Sequence, residues 1–308
     1  MIVTVTMNPA IDKTAEVDEL VLGGVNKLRV TQVDAGGKGI NVSKVLRVLN
    51  KPNMAIGFIG GNMGSSIRAK LQKQMIMADF IPVEGETRCN LKVRSAFGMT
   101  EFDEPGPNIK PEELDQLYGK IRLLAKPGML FVLSGSAPAG VPEDTYAKMT
   151  EMLHGLGCKV FLDTSGALLR RGLEAAPDYI KPNINELMAL YGVTTKFGSS
   201  EEMIEWAKSK ATELYSRGLK FVAISLGADG AIFCDGLESV HVPAKKVDVV
   251  SPVGAGDAMT AAIAYCLDSD MYFRDIIRYA MAVSAGACMT EGSEPPTKEL
   301  IVKFLRQE

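Results

Sequence analysis

Histidine is almost absent from this chain: His154 and His241 are the only two. Neither stands near a convincing nucleophile motif, so each reads as a surface or packing residue and a triad hydrolase is excluded. The five cysteines, Cys89, Cys158, Cys234, Cys266 and Cys288, are scattered, odd in number and never spaced Cys-x-x-Cys. That pattern argues against a zinc site and for reduced thiols in a cytoplasmic protein. Positive charge is not in excess either. The formal net charge is −3 and no run of like charges occurs, so neither nucleic acid nor an anionic membrane meets a general attraction. No segment reaches the roughly 18 to 20 apolar residues that span a bilayer. The opening Met-Ile-Val-Thr-Val-Thr-Met-Asn-Pro lacks a basic region and a small-residue cleavage site, and reads as a strand rather than a signal peptide. Internal repeats and low-complexity linkers are missing as well.

What is present is ordinary globular composition, 46% apolar and 23% charged, which excludes wholesale disorder. The 308 residues suffice for one large α/β domain, or one domain carrying a smaller insertion. Residues 2–7 alternate β-branched and small side chains and end at Asn8-Pro9, predicting a strand and then a turn, with Asp12 just beyond it. Short alternating segments without helical period run from about 13 to 35 and from about 84 to 107. Together they predict a small discontinuous β lid attached to the main sheet. Residues 54–59 and 79–83 read as strands and 65–75 as a helix. From 111 onward the pattern alternates: helix 111–125, strand 129–134, helix 143–155, strand 158–163, helix 166–175 and strand 178–181. Helices at 185–191 and 200–217 and a strand at 220–225 follow, with more strand through 231–249. Two helices near 273–289 and 297–306 close the chain. This alternation predicts a mainly parallel sheet with helices on both faces, whose ligands bind at the strands' carboxyl ends.

Two glycine-rich turns open helices. In Val250-Ser251-Pro252-Val253-Gly254-Ala255-Gly256-Asp257-Ala258-Met259-Thr260 the glycines precede an alanine-rich run with few helix breakers. Unpaired N–H groups and the positive end of the helix dipole converge there, which makes an anion site. Asp257, in the first turn, could take a proton from an attacking hydroxyl or merely favour the dipole. In Ala35-Gly36-Gly37-Lys38-Gly39-Ile40-Asn41-Val42-Ser43 a lysine lies inside the turn. It is not a Walker A loop, because Gly39 follows Lys38, and no Gly-x-Gly-x-x-Gly fingerprint follows the first strand. Asn41 suits a sugar hydroxyl or a helix N-cap. Arg88 could fork onto a phosphate or carboxylate, or lie on a solvated face. Turns after strands, at Ser134-Gly135-Ser136, Asp163-Thr164-Ser165-Gly166, Lys181-Pro182-Asn183-Ile184-Asn185-Glu186 and Ser225-Leu226-Gly227-Ala228-Asp229-Gly230, read as further walls of a site.

With these residues in place, the chain resembles the ribokinase-like carbohydrate kinases of the PfkB group over essentially its whole length. The matching pieces are Asn8-Pro9-Ala10-Ile11-Asp12, Gly36-Gly37-Lys38-Gly39-Ile40-Asn41-Val42, Gly135-Ser136, Lys181-Pro182-Asn183 with Glu186, Ser225-Leu226-Gly227, and Gly254-Ala255-Gly256-Asp257. The resemblance implies one ribokinase-like domain over 1–308, ATP and Mg2+, a sugar-phosphate substrate and a homodimer built through the lid. It implies Asp257 as the base and the Gly254, Ala255 and Gly256 amides as the anion hole. Asp12, Gly37, Lys38 and Asn41 would hold the sugar, with Lys38, Lys27 and Arg88 as candidates for its phosphate; the role of Ser136 is held loosely, because the family pattern around it departs here. Asn183 and Glu186 would organise the metal, Glu186 indirectly through water, while Lys181, Ser225, Gly227 and Gly230 line the nucleotide site. Lys38 is an extra cation that suits a substrate already phosphorylated. The opening and the glycine–lysine turn look most like the branch containing 1-phosphofructokinase, which implies D-fructose 1-phosphate converted to D-fructose 1,6-bisphosphate. Tagatose 6-phosphate or fructose 6-phosphate is the alternative substrate. A non-catalytic sugar-phosphate sensor and a nicotinamide dehydrogenase are the readings from other classes.

Overall fold

The computed structural model describes residues 1–307. Its first half contains β1 (Ile2–Thr6), β2 (Ala10–Glu16), β3 (Arg29–Gly36), α1 (Lys38–Val48), β4 (Asn53–Ile59) and α2 (Gly61–Lys73). The two-residue strands β5 (Met77–Ala78) and β6 (Ile81–Pro82) precede β7 (Arg88–Ser95), β8 (Gly98–Phe102) and α3 (Pro111–Leu124). Next come β9 (Leu130–Ser134), α4 (Thr145–Gly155), β10 (Lys159–Asp163), α5 (Gly166–Gly172), β11 (Tyr179–Ile180), α6 (Ile184–Leu190) and α7 (Ser200–Ser216). The remainder is β12 (Phe221–Ser225), β13 (Ala231–Cys234), β14 (Ser239–Val242), α8 (Ala255–Leu267), α9 (Phe273–Ala287) and α10 (Lys298–Leu305).

The large sheet runs β14-β13-β12-β11-β10-β9-β1-β4-β5, with β6 also on β4. All its pairs are parallel except β12–β13 and β13–β14. Alternation along each strand sorts the core into two layers. Val3, Val5, Phe131, Leu133, Val160 and Leu162 face α3, α4 and α7. Ile2, Leu130, Val132, Phe161, Phe221 and Phe233 face α1, α8, α9 and α10. The period-2 hydrophobic runs of the sequence therefore bury both faces, as a parallel sheet covered by helices requires. Among the described residues, no helix is long and apolar enough to cross a membrane.

The second sheet has four strands in the order β3-β2-β7-β8. Here β2 pairs antiparallel with β3 but parallel with β7, which connects the two sequence-distant halves of the small β unit. Several boundaries differ from the sequence reading. Asp12, expected just past the turn that follows β1, lies inside β2, because the chain re-enters a strand directly after Pro9. The helix expected at 166–175 ends at Gly172 and finishes as a short 3₁₀ turn. Of the strand expected at 79–83 only β6, Ile81–Pro82, forms, and β5 lies just before the expected span. Strand structure stops at Val242 instead of continuing to 249.

The close approach of β1 and β4 depends on one glycine. Gly57 pairs with Thr6 and has φ 146, and a Cβ built on it would stand 1.9 Å from the Thr6 carbonyl oxygen. Gly57→Ala should therefore destabilise the protein by about 3 kcal/mol or more through backbone displacement. Urea unfolding checks this, and an unchanged midpoint would contradict the packing described.

Candidate active site

The second glycine turn builds the amino end of α8. Gly254 caps the helix with φ 80, the left-handed region where glycine meets no penalty. Ala255 N donates to Pro252 O at 3.4 Å. The N–H groups of Gly256 and Asp257, within the first turn, have no helical carbonyl behind them and point out of the helix end. Beyond this turn, alanines let α8 lie buried against α1 and α9. The anion-attracting end is thereby fixed to the core and not to a mobile loop.

Strand ends bring charges to the same place. Asp163 ends β10 and Lys181 follows β11, its parallel neighbour. Asp163 is fully buried and takes three partners. Lys38 Nζ donates to its Oδ1 at 3.0 Å, Thr260 Oγ1 donates to its Oδ2 at 2.6 Å, and Lys181 Nζ lies 3.7 Å from Oδ2. Burial alone would raise the Asp163 carboxyl, but Lys181, Lys38 and the Thr260 hydroxyl outweigh it and hold it below the usual carboxylate range. Lys38 also reaches Glu186 Oε1 at 3.4 Å. Its own burial works against the charge, yet Asp163, Glu186 and Asp257 keep the ammonium above the usual lysine range.

Asp257 faces this cluster from α8. Asn41 Nδ2 donates to its Oδ2 at 2.8 Å across a sequence separation of 216 residues. Burial pushes the Asp257 carboxyl up and Asp163 adds to this; Lys38, the Asn41 hydrogen bond and Lys181 oppose them, and the balance stands at about 6. A carboxyl so placed exchanges its proton near neutral pH, a property suited to a general base. Asn41 is not the helix cap, which is Gly37; it sits one turn inside α1 with its amide turned into the site.

A roof stands over Asn41. Register pairs Asp12 with Asp34 and Asn90, and Thr14 with Gln32 and Lys92, so these six polar side chains share one face of the small sheet. Asp12 accepts from Asn90 Nδ2 at 3.1 Å and pairs with Lys92 Nζ at 3.4 Å. Beneath them Lys44 is buried on α1. At the edge, Arg88 spends its guanidinium on the Asn8 and Glu104 carbonyls at 3.2–3.3 Å. Ser136 Oγ accepts from Asn8 Nδ2 at 3.3 Å. Lys27, a candidate for the substrate's phosphate, is exposed in the connection between β2 and β3. Among the described residues its side chain has no hydrogen bond or ion pair.

On the other side of α8's amino end a cavity of about 820 Å³ opens. Its walls include Lys38, Lys181, Asn183, Ser225, Gly227 and Gly230, and it reaches Gly256 and Asp257. A volume of this size suits a nucleotide. Asn183 and Glu186 cap α6 reciprocally: Glu186 N donates to Asn183 Oδ1 at 2.9 Å and Asn183 N to Glu186 Oε2 at 2.8 Å. Its other oxygen, Oε1, lies 3.4 Å from Lys38 Nζ, so both Glu186 oxygens already have a protein partner. No group of three His, Cys, Asp or Glu side chains among the described residues could hold a metal. Such a donor set would suit a magnesium ion carried mainly by phosphate oxygens and water, with Glu186 beside it.

The sequence reading placed Asp257, Lys38, Asn41 and Glu186 at one site, and they meet there. It left out Lys44, Asn90 and Lys92, and marked the Asp163 turn without giving the carboxylate a partner. The available signal was the polar alternation 12/14, 32/34 and 90/92, which becomes legible only once strand register is known. For the charge at Asp257, the folded carboxyl binds its proton more tightly than the unfolded one. Its penalty is thus complete above about pH 6 and fades toward the unfolded range near 3.8. Asp257→Asn is expected to raise the melting temperature at pH 8, with the gain shrinking as pH falls from 6 to 4. A pH-independent gain would contradict the raised carboxyl.

Comparison with known proteins agrees with this geometry. The model of the pfkB family of carbohydrate kinases matches residues 5–300. A 1-phosphofructokinase of Borreliella burgdorferi is 37% identical over 94% of this chain and 92% of its own. A D-tagatose-1-phosphate kinase of Bacillus licheniformis is 36% identical over 95% of this chain and 94% of its own. Phosphofructokinase-2 of Escherichia coli, crystallised with substrates and products, superposes with a TM-score of 0.91 at 27% identity, covering 99% of this chain and 98% of that one. The fold is ribokinase-like, as a Thermotoga maritima ribokinase with TM-score 0.79 also indicates. The chain thus belongs to the PfkB family, the ATP-dependent carbohydrate kinases.

Proposed function

We propose that the protein transfers the γ-phosphoryl group of ATP to the free primary hydroxyl of a ketose 1-phosphate, converting D-fructose 1-phosphate to D-fructose 1,6-bisphosphate. The observation that carries this reading is Asp257 at the junction of two spaces. The nucleotide-sized cavity lies on one side and the polar roof of the small sheet on the other. In this account the sugar lies under Asp12, Asn90 and Lys92, with Gly37 and Asn41 against its hydroxyls and Arg88 and Ser136 at its edge. Its acceptor hydroxyl gives its proton to Asp257 as the oxygen bonds to phosphorus and the bond to ADP breaks. Lys38 and the first-turn amides of α8 meet the charge on the migrating group. The position of Lys38 favours the transferred phosphoryl group over the phosphate the sugar already carries. Ser225, Gly227, Gly230 and Lys181 border the nucleotide. Magnesium supplies charge neutralisation for the nucleotide phosphates when bound. The relative named D-tagatose-1-phosphate kinase supports a second reading, D-tagatose 1-phosphate, which leaves the chemistry unchanged.

The small sheet and the connection between β2 and β3 expose Leu22, Val25, Phe97 and Phe102 to 90%, 92%, 85% and 51%. Apolar exposure beside strand edges favours a homodimer formed through this β lid, which closes the single kinase domain in the proposed arrangement. The five unpaired thiols support a cytoplasmic protein.

Coupled ADP release with ATP and magnesium, comparing fructose 1-phosphate, tagatose 1-phosphate, fructose 6-phosphate, tagatose 6-phosphate and free fructose, tests the substrate. A 1-phosphate is expected to lead, and preference for a 6-phosphate would overturn that assignment. Asp257→Asn should lower kcat by about 10²- to 10⁴-fold, and wild-type kcat/KM should fall as pH drops through about 6. An unimpaired variant would remove Asp257 from the base role. Light scattering should give twice the 33.1 kDa chain mass, and a monomer would contradict the dimer.

A further inference from the structure

Lys44 is 3% exposed, yet it forms no ion pair among the described residues. It lies on α1, one turn past Asn41, and its single hydrogen bond there runs from Nζ to Asn41 Oδ1 at 3.4 Å. Carboxylates surround it at longer range: Asp34 on β3, Asp12 on β2, Glu294 before α10 and Asp257 on α8. Burial outweighs them and holds the ammonium below the usual lysine range. A long, polar, incompletely paired side chain in this position is destabilising, and methionine would fill similar volume without that penalty. The placement therefore asks for a role other than stability.

The chemistry of the donors supplies one. An ammonium group can only donate, so it fixes Oδ1 of Asn41 toward itself and turns Nδ2 toward Asp257. Flipping the amide would set an NH2 against the ammonium and an oxygen against the carboxylate, two repulsions in a buried place. We propose that Lys44 is a positioning residue, fixing the Asn41 amide so that one oxygen of Asp257 is always occupied and the other is offered to the sugar hydroxyl. This rests on the reading of Asp257 as the base. The groups that face Asp257 otherwise are Lys38, Asp163 and Lys181, and none of them touches the Asn41 amide.

The relay is tested in the free protein by following the Asp257 carboxyl with carboxyl-carbon NMR against pH. Lys44→Met is expected to move the Asp257 midpoint upward by about one pH unit. In an Asn41→Leu background the same substitution should shift the midpoint much less, by the through-space charge effect alone, because the two side chains act mainly in series. Lys44→Gln, which keeps an N–H donor, should return the midpoint toward wild type. Lys44→Ala serves if the methionine variant does not fold. In turnover, Lys44→Met should lower kcat about ten-fold or more, shift the acid limb of kcat/KM upward in step with the NMR midpoint, and leave the melting temperature unchanged or raised. An unmoved Asp257 midpoint in Lys44→Met would overturn the proposal. So would a shift of equal size with and without Asn41, which is what charge alone gives. Failure of the wild-type protein to turn over any sugar phosphate would overturn the kinase reading instead, and the NMR result stands independently of it.

Discussion

A carboxylate with no access to water, Asp163, is the constraint on which the site depends. Taken alone, its charge would be far more costly buried than exposed. Lys38 from α1, Lys181 from the end of β11 and Thr260 from α8 make it tolerable. Three elements distant in sequence must therefore converge on one strand end for any of them to be stable there. Their convergence places the amino end of α8, the Lys38 ammonium and the Asp257 carboxyl beside one another. Removing one partner would strand the others, which makes the cluster an all-or-none piece of architecture.

The two carboxylates respond to this environment in opposite directions. Both are buried, but Asp163 lies between two cations and a hydroxyl and stays ionised, whereas Asp257 has one amide donor and more distant lysines. Environment alone thus separates a structural anion from a group that binds and releases a proton near neutral pH. The small sheet adds the substrate side. Its strands present six polar residues on one face by simple alternation, while its sequence connections leave large apolar side chains in solvent.

Much of this was legible in the sequence because it is written locally. Helix and strand periods from 111 onward gave the large sheet, and the two glycine turns marked the amino ends of α1 and α8. The capping pair Asn183 and Glu186 is likewise a short-range pattern. What stayed hidden was set by register and burial. Asp12 stood only as a residue just past the Asn8-Pro9 turn, and its pairing with β7, about 78 residues away, is invisible without the fold. Lys44 looked like any lysine on an amphipathic helix. Nothing in its neighbours tells that the small sheet covers it.

A crystal structure with a non-hydrolysable ATP analogue, magnesium and fructose 1-phosphate tests the central claim most directly. The expected result places the terminal phosphorus at the first-turn amides of α8 with Lys38 against it, and the acceptor hydroxyl within hydrogen-bond distance of the Asp257 oxygen that Asn41 does not hold. A sugar bound away from Asp257, or a hydroxyl directed at another side chain, would contradict it.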